Sequence, residues 1–210
     1  MKNSVYIFGA SGHAKVVVDV VSSNRTSIIA LVDDNPKIEL LMNIPIIKTS
    51  LFEYKSEMSF IIAIGNNGIR KKIVSHYQFK YSNAIHKMAF VSIFSKIGIG
   101  NVVMANAVIN ADATIGNHCI INSNSVVEHD CFLEDFVHIS PAAALAGNVF
   151  VGEGAQVGIG ASVKQGIKIG KWATIGAGSV IINDVPDFAV MVGNPGRLIK
   201  YNSNADETNL

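Results

Sequence analysis

The sequence predicts a small Rossmann-like α/β domain followed by a parallel β-helix of hexapeptide repeats. Two observations carry that prediction. From Val91 to Pro186 a branched aliphatic residue or leucine returns at every sixth position without a miss, from Val91, Ile97 and Val103 through to Ile169, Ile175 and Ile181. Ahead of that run, short apolar segments alternate with glycine turns and helical segments, which is the order of a parallel α/β unit.

The α/β unit comes first. Val5-Tyr6-Ile7-Phe8 reads as a strand that ends in the turn Gly9-Ala10-Ser11-Gly12-His13. Ala14 to Val21 reads as a buried helix because it follows that turn, in spite of its valines. Ile28 to Val32 is a second strand, closed by Asp33-Asp34-Asn35-Pro36, and Ser59 to Ile64 is another. Gly65-Asn66-Asn67-Gly68 then leads into a basic amphipathic helix around Arg70, Lys71, Lys72 and Ile73. The turn carries glycine at the first and fourth positions of a dinucleotide-type stretch, with Ser11 and Ala14 where the other glycines belong, so it is a poor NAD site. It still feeds a helix N-terminus, whose free N–H groups and positive dipole end suit a phosphate or sugar hydroxyls. Asp33 and Asp34 end the second strand, where such folds place an acid near a sugar hydroxyl. The competing reading is a turn and helix cap with no ligand, and His13 as a plain loop histidine.

A helix has no use for a period of six, which would carry the apolar stripe around its surface. Short strands joined by identical turns keep it facing inward. Sixteen hexads over 96 residues are the signature of a solenoid. Three faces per coil predict 18 residues per coil, which makes a little over five coils. Four places after the aliphatic the residue is commonly small, as at Ala107, Cys119, Ser125, Cys131 and Ala143. Glycine often follows the aliphatic, as in Ile97-Gly98 and Val151-Gly152, and is expected to relax the turn. The predicted boundaries are 1–85 for the α/β domain, 86–200 for the β-helix and 201–210 for a frayed polar tail.

One hexad stands out for its chemistry. Val127-Glu128-His129-Asp130-Cys131-Phe132 holds a histidine flanked by two carboxylates, and an adjacent acid raises a histidine's basicity and fixes its tautomer. His138 follows half a coil later, beyond Glu134-Asp135. Ile109 to Ser162 contains six acids and no Lys or Arg, a belt that favours an amine nucleophile and repels a pyrophosphate. A diphosphate is therefore expected at the glycine turn instead. Late cations (Lys164, Lys168, Lys171, Arg197 and Lys200) are either ordinary surface charges or contacts for a second anionic ligand. Cys119 and Cys131 occupy inward repeat positions and read as core residues. Trp172 reads as packing on a coil edge.

With 49% hydrophobic and 16% charged residues the chain is well buried, and a net charge of +1 gives no field for nucleic acid or an anionic membrane surface. The N-terminal residues lack a signal-peptide pattern and no 18-residue apolar span occurs, so a cytoplasmic location is expected.

The repeats resemble those of the left-handed β-helix hexapeptide acyltransferases, and Val192-Gly193-Asn194-Pro195 is similar to the segment that ends them. The GASGH turn, the Gly65-Asn66-Asn67 to Lys72 segment and the Glu128-His129-Asp130 triplet narrow the resemblance to sugar acyltransferases of the sialic acid O-acetyltransferase type. Within these the chain resembles the UDP-4-amino-sugar N-acetyltransferases of the bacillosamine pathway. The resemblance implies acetyl-CoA as co-substrate, a UDP-linked 4-amino-4,6-dideoxy sugar as acceptor, no metal, and a homotrimer with sites between subunits. It makes His129 the general base, Asp130 the acid behind it (where those enzymes carry Glu), and Asn122 a polar partner in the same pocket. Ser11, Gly12, His13, Asp33, Asp34 and Gly65 match nucleotide-sugar positions. His138, Gly147, Ile159 and Ala177 match positions of the acetyl-CoA groove, with the Gly147 amide a candidate oxyanion donor. O-acetylation of a sialic acid, N-acetylation of a GDP-amino sugar and a non-catalytic sugar-nucleotide scaffold are the alternatives.

Overall fold

The computed structural model describes residues 4–202 of the 210. Its N-terminal part is a six-stranded sheet ordered β3-β4-β2-β1-β5-β6, built from β1 (Ser4–Phe8), β2 (Ser27–Asp33), β3 (Leu40–Leu41), β4 (Ile44–Lys48), β5 (Ser59–Ile62) and β6 (Lys80–Tyr81). The β1–β2, β1–β5, β2–β4 and β5–β6 pairs are parallel, as an alternating α/β chain requires. Helix α1 (Gly12–Ser23) follows β1 and helix α2 (Asn67–His76) follows β5. The strand β4 was not legible beforehand. It forms a hairpin with β3 through Met42 (φ 52) and Asn43 (φ 64), two left-handed residues that suit a tight hairpin turn.

From Ala84 onward the chain winds as a parallel β-solenoid of two-residue strands. The register advances by one coil of 18 residues, so that Val102, Ile120, His138, Gln156 and Thr174 pair in succession along the first face. The second face runs from Phe90 to Val180 and the third from Lys96 to Lys168. The second residue of each strand points inward. Ile109, Ile121, Val127, Leu133, Ile139 and Leu145 are all 0% exposed, and the small residues Ala107, Ala113, Cys119 and Ala143 fill the remaining inward positions. Each buried aliphatic adds roughly 1.5–3 kcal/mol of gross transfer energy. The column is closed by the hairpin of Ala189–Val192 with Arg197–Tyr201. Tyr201 thus belongs to a strand, and Asn202 is anchored by its N–H to the Phe188 carbonyl at 2.7 Å. The rest of the expected tail, 203–210, lies outside the described residues.

The turns correct one expectation. Left-handed backbone occurs at every sixth residue from Gly100 to Gly178, and mostly at non-glycine residues such as Asn106, Asp112, His118, Asn124, Asp130 and Phe136. The glycine directly after the aliphatic does not carry it. A Cβ on Gly98 would lie 2.6 Å from the Gly116 carbonyl oxygen, so these glycines let successive coils approach rather than relax the turn.

The two parts share a core. Val17, Val18 and Val21 of α1 cluster with Ala84, Val102, Met104 and Ile120 on the first face of the solenoid. Further along the same face the outward residue becomes His138, and polar groups replace apolar ones at the junction.

Candidate active site

His129 stands on the corner between the second and third faces. Val126–Val127 is pinned by parallel pairing to Val108–Ile109 and Ala144–Leu145, and Cys131 is buried in the core, so the three residues between are a constrained turn. Asp130 takes the left-handed position of that turn (φ 61), which swings its carboxylate back onto the preceding residue. Its Oδ2 lies 2.7 Å from His129 Nδ1. With Nδ1–H donated to the carboxylate, Nε2 carries the lone pair. The hydrogen bond to Asp130, followed by the charges of Asp130 and Glu128, raises the His129 pKa above its ordinary value. The ring is held open to solvent, with 64% of the side chain exposed, and it lies over Gly147 on the next coil. A Cβ there would stand 2.6 Å from His129 Cε1, so Gly147 is what makes room for the ring. Among the described residues the Gly147 N–H has no backbone acceptor, whereas its carbonyl accepts from Gly166.

Three other histidines form a contrasting cluster at the domain junction. His138 is 9% exposed, its Nε2 is 3.1 Å from Asn122 Nδ2, the Gly65 backbone lies close to its ring, and its buried Nδ1 makes no hydrogen bond. Burial, then the charge of Arg70, lowers the His138 pKa to about 3. The same two causes lower His13 to about 4. His118, stacked on Phe136 and edge-on to Tyr81, is also pushed down to about 4 by burial and by Arg70. All three are neutral at pH 7. Within one chain Asn122 therefore contacts His138 on the first face and not His129.

A cleft of about 480 Å³ opens beside the glycine turn, lined among others by Ser11, Gly12, Lys15, Asn35 and Lys37. Gly9 has φ 104 and a Cβ there would stand 3.1 Å from the Ala63 carbonyl oxygen, so the turn needs glycine to pass the chain that follows β5. Ser11 is the N-cap of α1 but makes no side-chain capping bond, which leaves its hydroxyl uncommitted. Asp33 is more committed than its position suggested. Oδ2 accepts from Ala10 N at 2.8 Å and Oδ1 from Asn35 N at 2.9 Å, so it straps the turn to the end of β2. Asp34 accepts from Thr49 Oγ1 at 2.6 Å. Lys15 and Lys37 escaped the sequence reading. The signal for Lys15 was there, a cation in the first turn of a helix, where the dipole disfavours it unless an anion is near.

Of the coenzyme candidates, Ile159 and Ala177 are exposed and one coil apart on the corner between the first and second faces, away from the corner of His129 and Gly147. The late cations do not gather: Lys168 is on the third face, Lys171 pairs loosely with Glu134 at 3.7 Å, and Lys200 lies on the closing hairpin. The acidic belt is not one-signed in space, because α2 brings Arg70 against its coils and Lys71 to Glu153 at 2.7 Å. Trp172 packs over Gly154 with Lys71 Nζ 5.2 Å from its ring centre. Both cysteines are buried and free, with burial raising both thiol pKa values, so neither is a ready nucleophile. Among the described residues no group of three or more His, Cys, Asp or Glu is arranged for a metal, and no helix is long and apolar enough to cross a membrane.

Residues 4–77 match the PglD N-terminal domain, and residues 94–129 and 148–183 match the bacterial transferase hexapeptide (six repeats). A UDP-N-acetylbacillosamine N-acetyltransferase of Bacillus subtilis (strain 168) is 42% identical over 114 residues, 50% of this chain and 52% of the relative. A histidine-to-asparagine mutant of perosamine N-acetyltransferase from Caulobacter crescentus, in complex with CoA and GDP-perosamine, is 37% identical with a TM-score of 0.90, over 95% of this chain and 98% of that one. The acetyltransferase domain of PglB from Neisseria gonorrhoeae FA1090, in complex with acetyl coenzyme A, is 36% identical with a TM-score of 0.89, over 95% and 100%. The chain spans 52% or less of the length of the curated relatives it matches.

Proposed function

The chain belongs to the PglD-type hexapeptide acetyltransferases, and on that premise we propose that it transfers the acetyl group of acetyl-CoA to the amine of a nucleotide-linked amino sugar. The observation that carries the reading is the His129–Asp130 pair, a solvent-facing imidazole with its Nδ1 held at 2.7 Å by a carboxylate and its Nε2 free. In this reading Nε2 takes a proton from the sugar amine as the nitrogen attacks the thioester carbonyl. The new C–N bond forms, the carbonyl electrons pass through an oxyanion that the Gly147 N–H is open to receive, the C–S bond breaks, and the departing CoA thiolate takes up the proton held on Nε2. No acyl-enzyme is needed, because both cysteines are buried.

The acceptor is held by the glycine-turn cleft, with its diphosphate at the α1 N-terminus between Lys15 and Lys37. Those two cations do the work that the acidic solenoid belt does not. The finer assignment is a UDP-linked 4-amino-4,6-dideoxy sugar, in keeping with the Bacillus relative; a GDP-linked amino sugar, in keeping with the Caulobacter one, is the second reading. A homotrimer accounts for the split between corners: a groove between adjacent solenoids would bring His129 and Gly147 of one subunit to the Ile159 and Ala177 corner of the next.

Thiol release from acetyl-CoA against UDP-amino, GDP-amino and sialic acid acceptors tests this. Turnover with a nucleotide amino sugar alone is expected. Turnover only with sialic acid, or none with any acceptor, overturns it, and a monomer by light scattering removes the groove between subunits.

A further inference from the structure

Arg70 heads the fully buried side chains by volume, at 1% exposed, and none of its hydrogen-bond acceptors is a carboxylate. All five of its N–H donors are spent. Nε donates to the His118 carbonyl at 2.7 Å, Nη1 to the Ile64 and Gly65 carbonyls at 3.0 and 3.3 Å, and Nη2 to Asn67 Oδ1 and the Phe136 carbonyl, both at 2.8 Å. Asn67, so held, donates onward to the Gly154 carbonyl at 2.9 Å. His118, Phe136 and Gly154 are the left-handed residues of one corner on three successive coils. One guanidinium and one amide thus grip a ladder of solenoid carbonyls on one side and the 64–67 turn on the other.

Adhesion alone does not call for this arrangement. A buried charge is costly to desolvate, and apolar side chains of similar volume hold two surfaces together as well or better. What the planar fork supplies is direction, since five donors in fixed geometry define where the turn lies. The charge is retained at neutral pH, because burial lowers the Arg70 pKa only to about 10. The turn it fixes faces a candidate acceptor residue, since a Cβ on Gly65 would stand 3.9 Å from His13 Cγ, and its Gly65 backbone also lies close to the His138 ring.

We propose that Arg70 is a positioning residue, which touches neither substrate but fixes the Gly65 turn and His13 of the acceptor-binding domain in register with the His138 rung of the solenoid. The inference rests on the acceptor site proposed above. It predicts that loosening Arg70 damages acceptor binding and leaves the acetyl-CoA corners alone, whereas a merely structural arginine would lower stability without that asymmetry.

The test compares Arg70→Lys, which keeps the charge with three donors, and Asn67→Ala, which removes one acceptor and the link to Gly154, with the wild-type chain. UDP- and GDP-linked 4-amino sugars serve as varied acceptors. For Arg70→Lys the acceptor KM is expected to rise about tenfold or more, with the acetyl-CoA KM within about threefold; Asn67→Ala shifts the same way by a smaller factor. Amide hydrogen exchange is expected to quicken over 9–14 and 62–67 in both variants and to stay unchanged around His129. An unchanged acceptor KM in a folded variant, an equal rise in both KM values, or unaltered exchange in the turn overturns the proposal. Should the wild-type chain turn over no nucleotide amino sugar, the functional reading fails instead, and the exchange measurement still decides whether Arg70 fixes the turn.

Discussion

His129 and His138 are half a coil apart on the same rigid prism, and their surroundings drive them in opposite directions. His129 is on an open corner with a carboxylate at 2.7 Å, so its protonated form is favoured. His138 is buried beneath the N-terminal domain with Arg70 and His13 for company, so its protonated form is disfavoured and its pKa falls to about 3. A base needs a reachable lone pair and a pKa near the working pH. The first histidine has an open Nε2 and a raised pKa; the second is buried with its pKa lowered. The second is equipped to hold a fixed neutral hydrogen-bonding pattern, and the solenoid shows that one residue type serves either end according to burial and the sign of its neighbour.

The contrast is broken most severely by removing the open histidine. His129→Ala is expected to lower kcat/KM by about 10²–10⁴-fold at unchanged thermal stability, read from initial rates and a melting curve. If the variant keeps more than about a tenth of wild-type kcat/KM, His129 is not the base. Next comes its seat. Gly147→Ala places a Cβ against His129 Cε1, and a ring displaced by about an ångström is expected to lose about tenfold to a hundredfold in kcat with the melting temperature near wild type.

Asp130→Asn sharpens the comparison by removing the charge that separates the two histidines. The His129 pKa then falls toward its ordinary value, so the acid limb of kcat/KM, which reports the neutral imidazole, moves to lower pH while the plateau drops by about tenfold. The smallest effect is on stability. His13, His118 and His138 have folded pKa values lowered to about 4, 4 and 3 from 6.5, so the unfolded chain binds protons that the folded one refuses. The contribution of these three histidines is complete above about pH 6.5 and is lost as pH falls toward 4. Melting temperatures at pH 7.5 and 5 measure the slope, and His118→Phe, which keeps an aromatic ring on Phe136, is expected to flatten it.

The hexads were legible because their signal is local and repeated: sixteen aliphatics at one spacing leave no other way to bury them all. The acidic-flanked histidine stood out against that regularity for the same reason. The glycines were misread, because the sequence records that a residue lacks a side chain but not whether φ or a neighbouring coil demands it. In the sequence Arg70 reads as part of a basic amphipathic helix. Yet Asn67, Arg70 and Ile73 are spaced at three, all are buried, and that phase was the available hint. Asn122 was grouped with His129, whereas within the chain it bonds His138 across 16 residues of sequence.

By itself the sequence determined the repeat length, the inward face of every rung and the hexad that sets a histidine directly between two carboxylates, since each is a matter of order along the chain. Tertiary structure decided which histidine is open and which is buried, that Asp33 straps a turn, that Lys15 and Lys37 meet at one cleft, and that an arginine and an asparagine from α2 together grip three coils. Those outcomes depend on which segments the fold sets against each other, and burial and electrostatic sign are properties of that juxtaposition rather than of any residue alone.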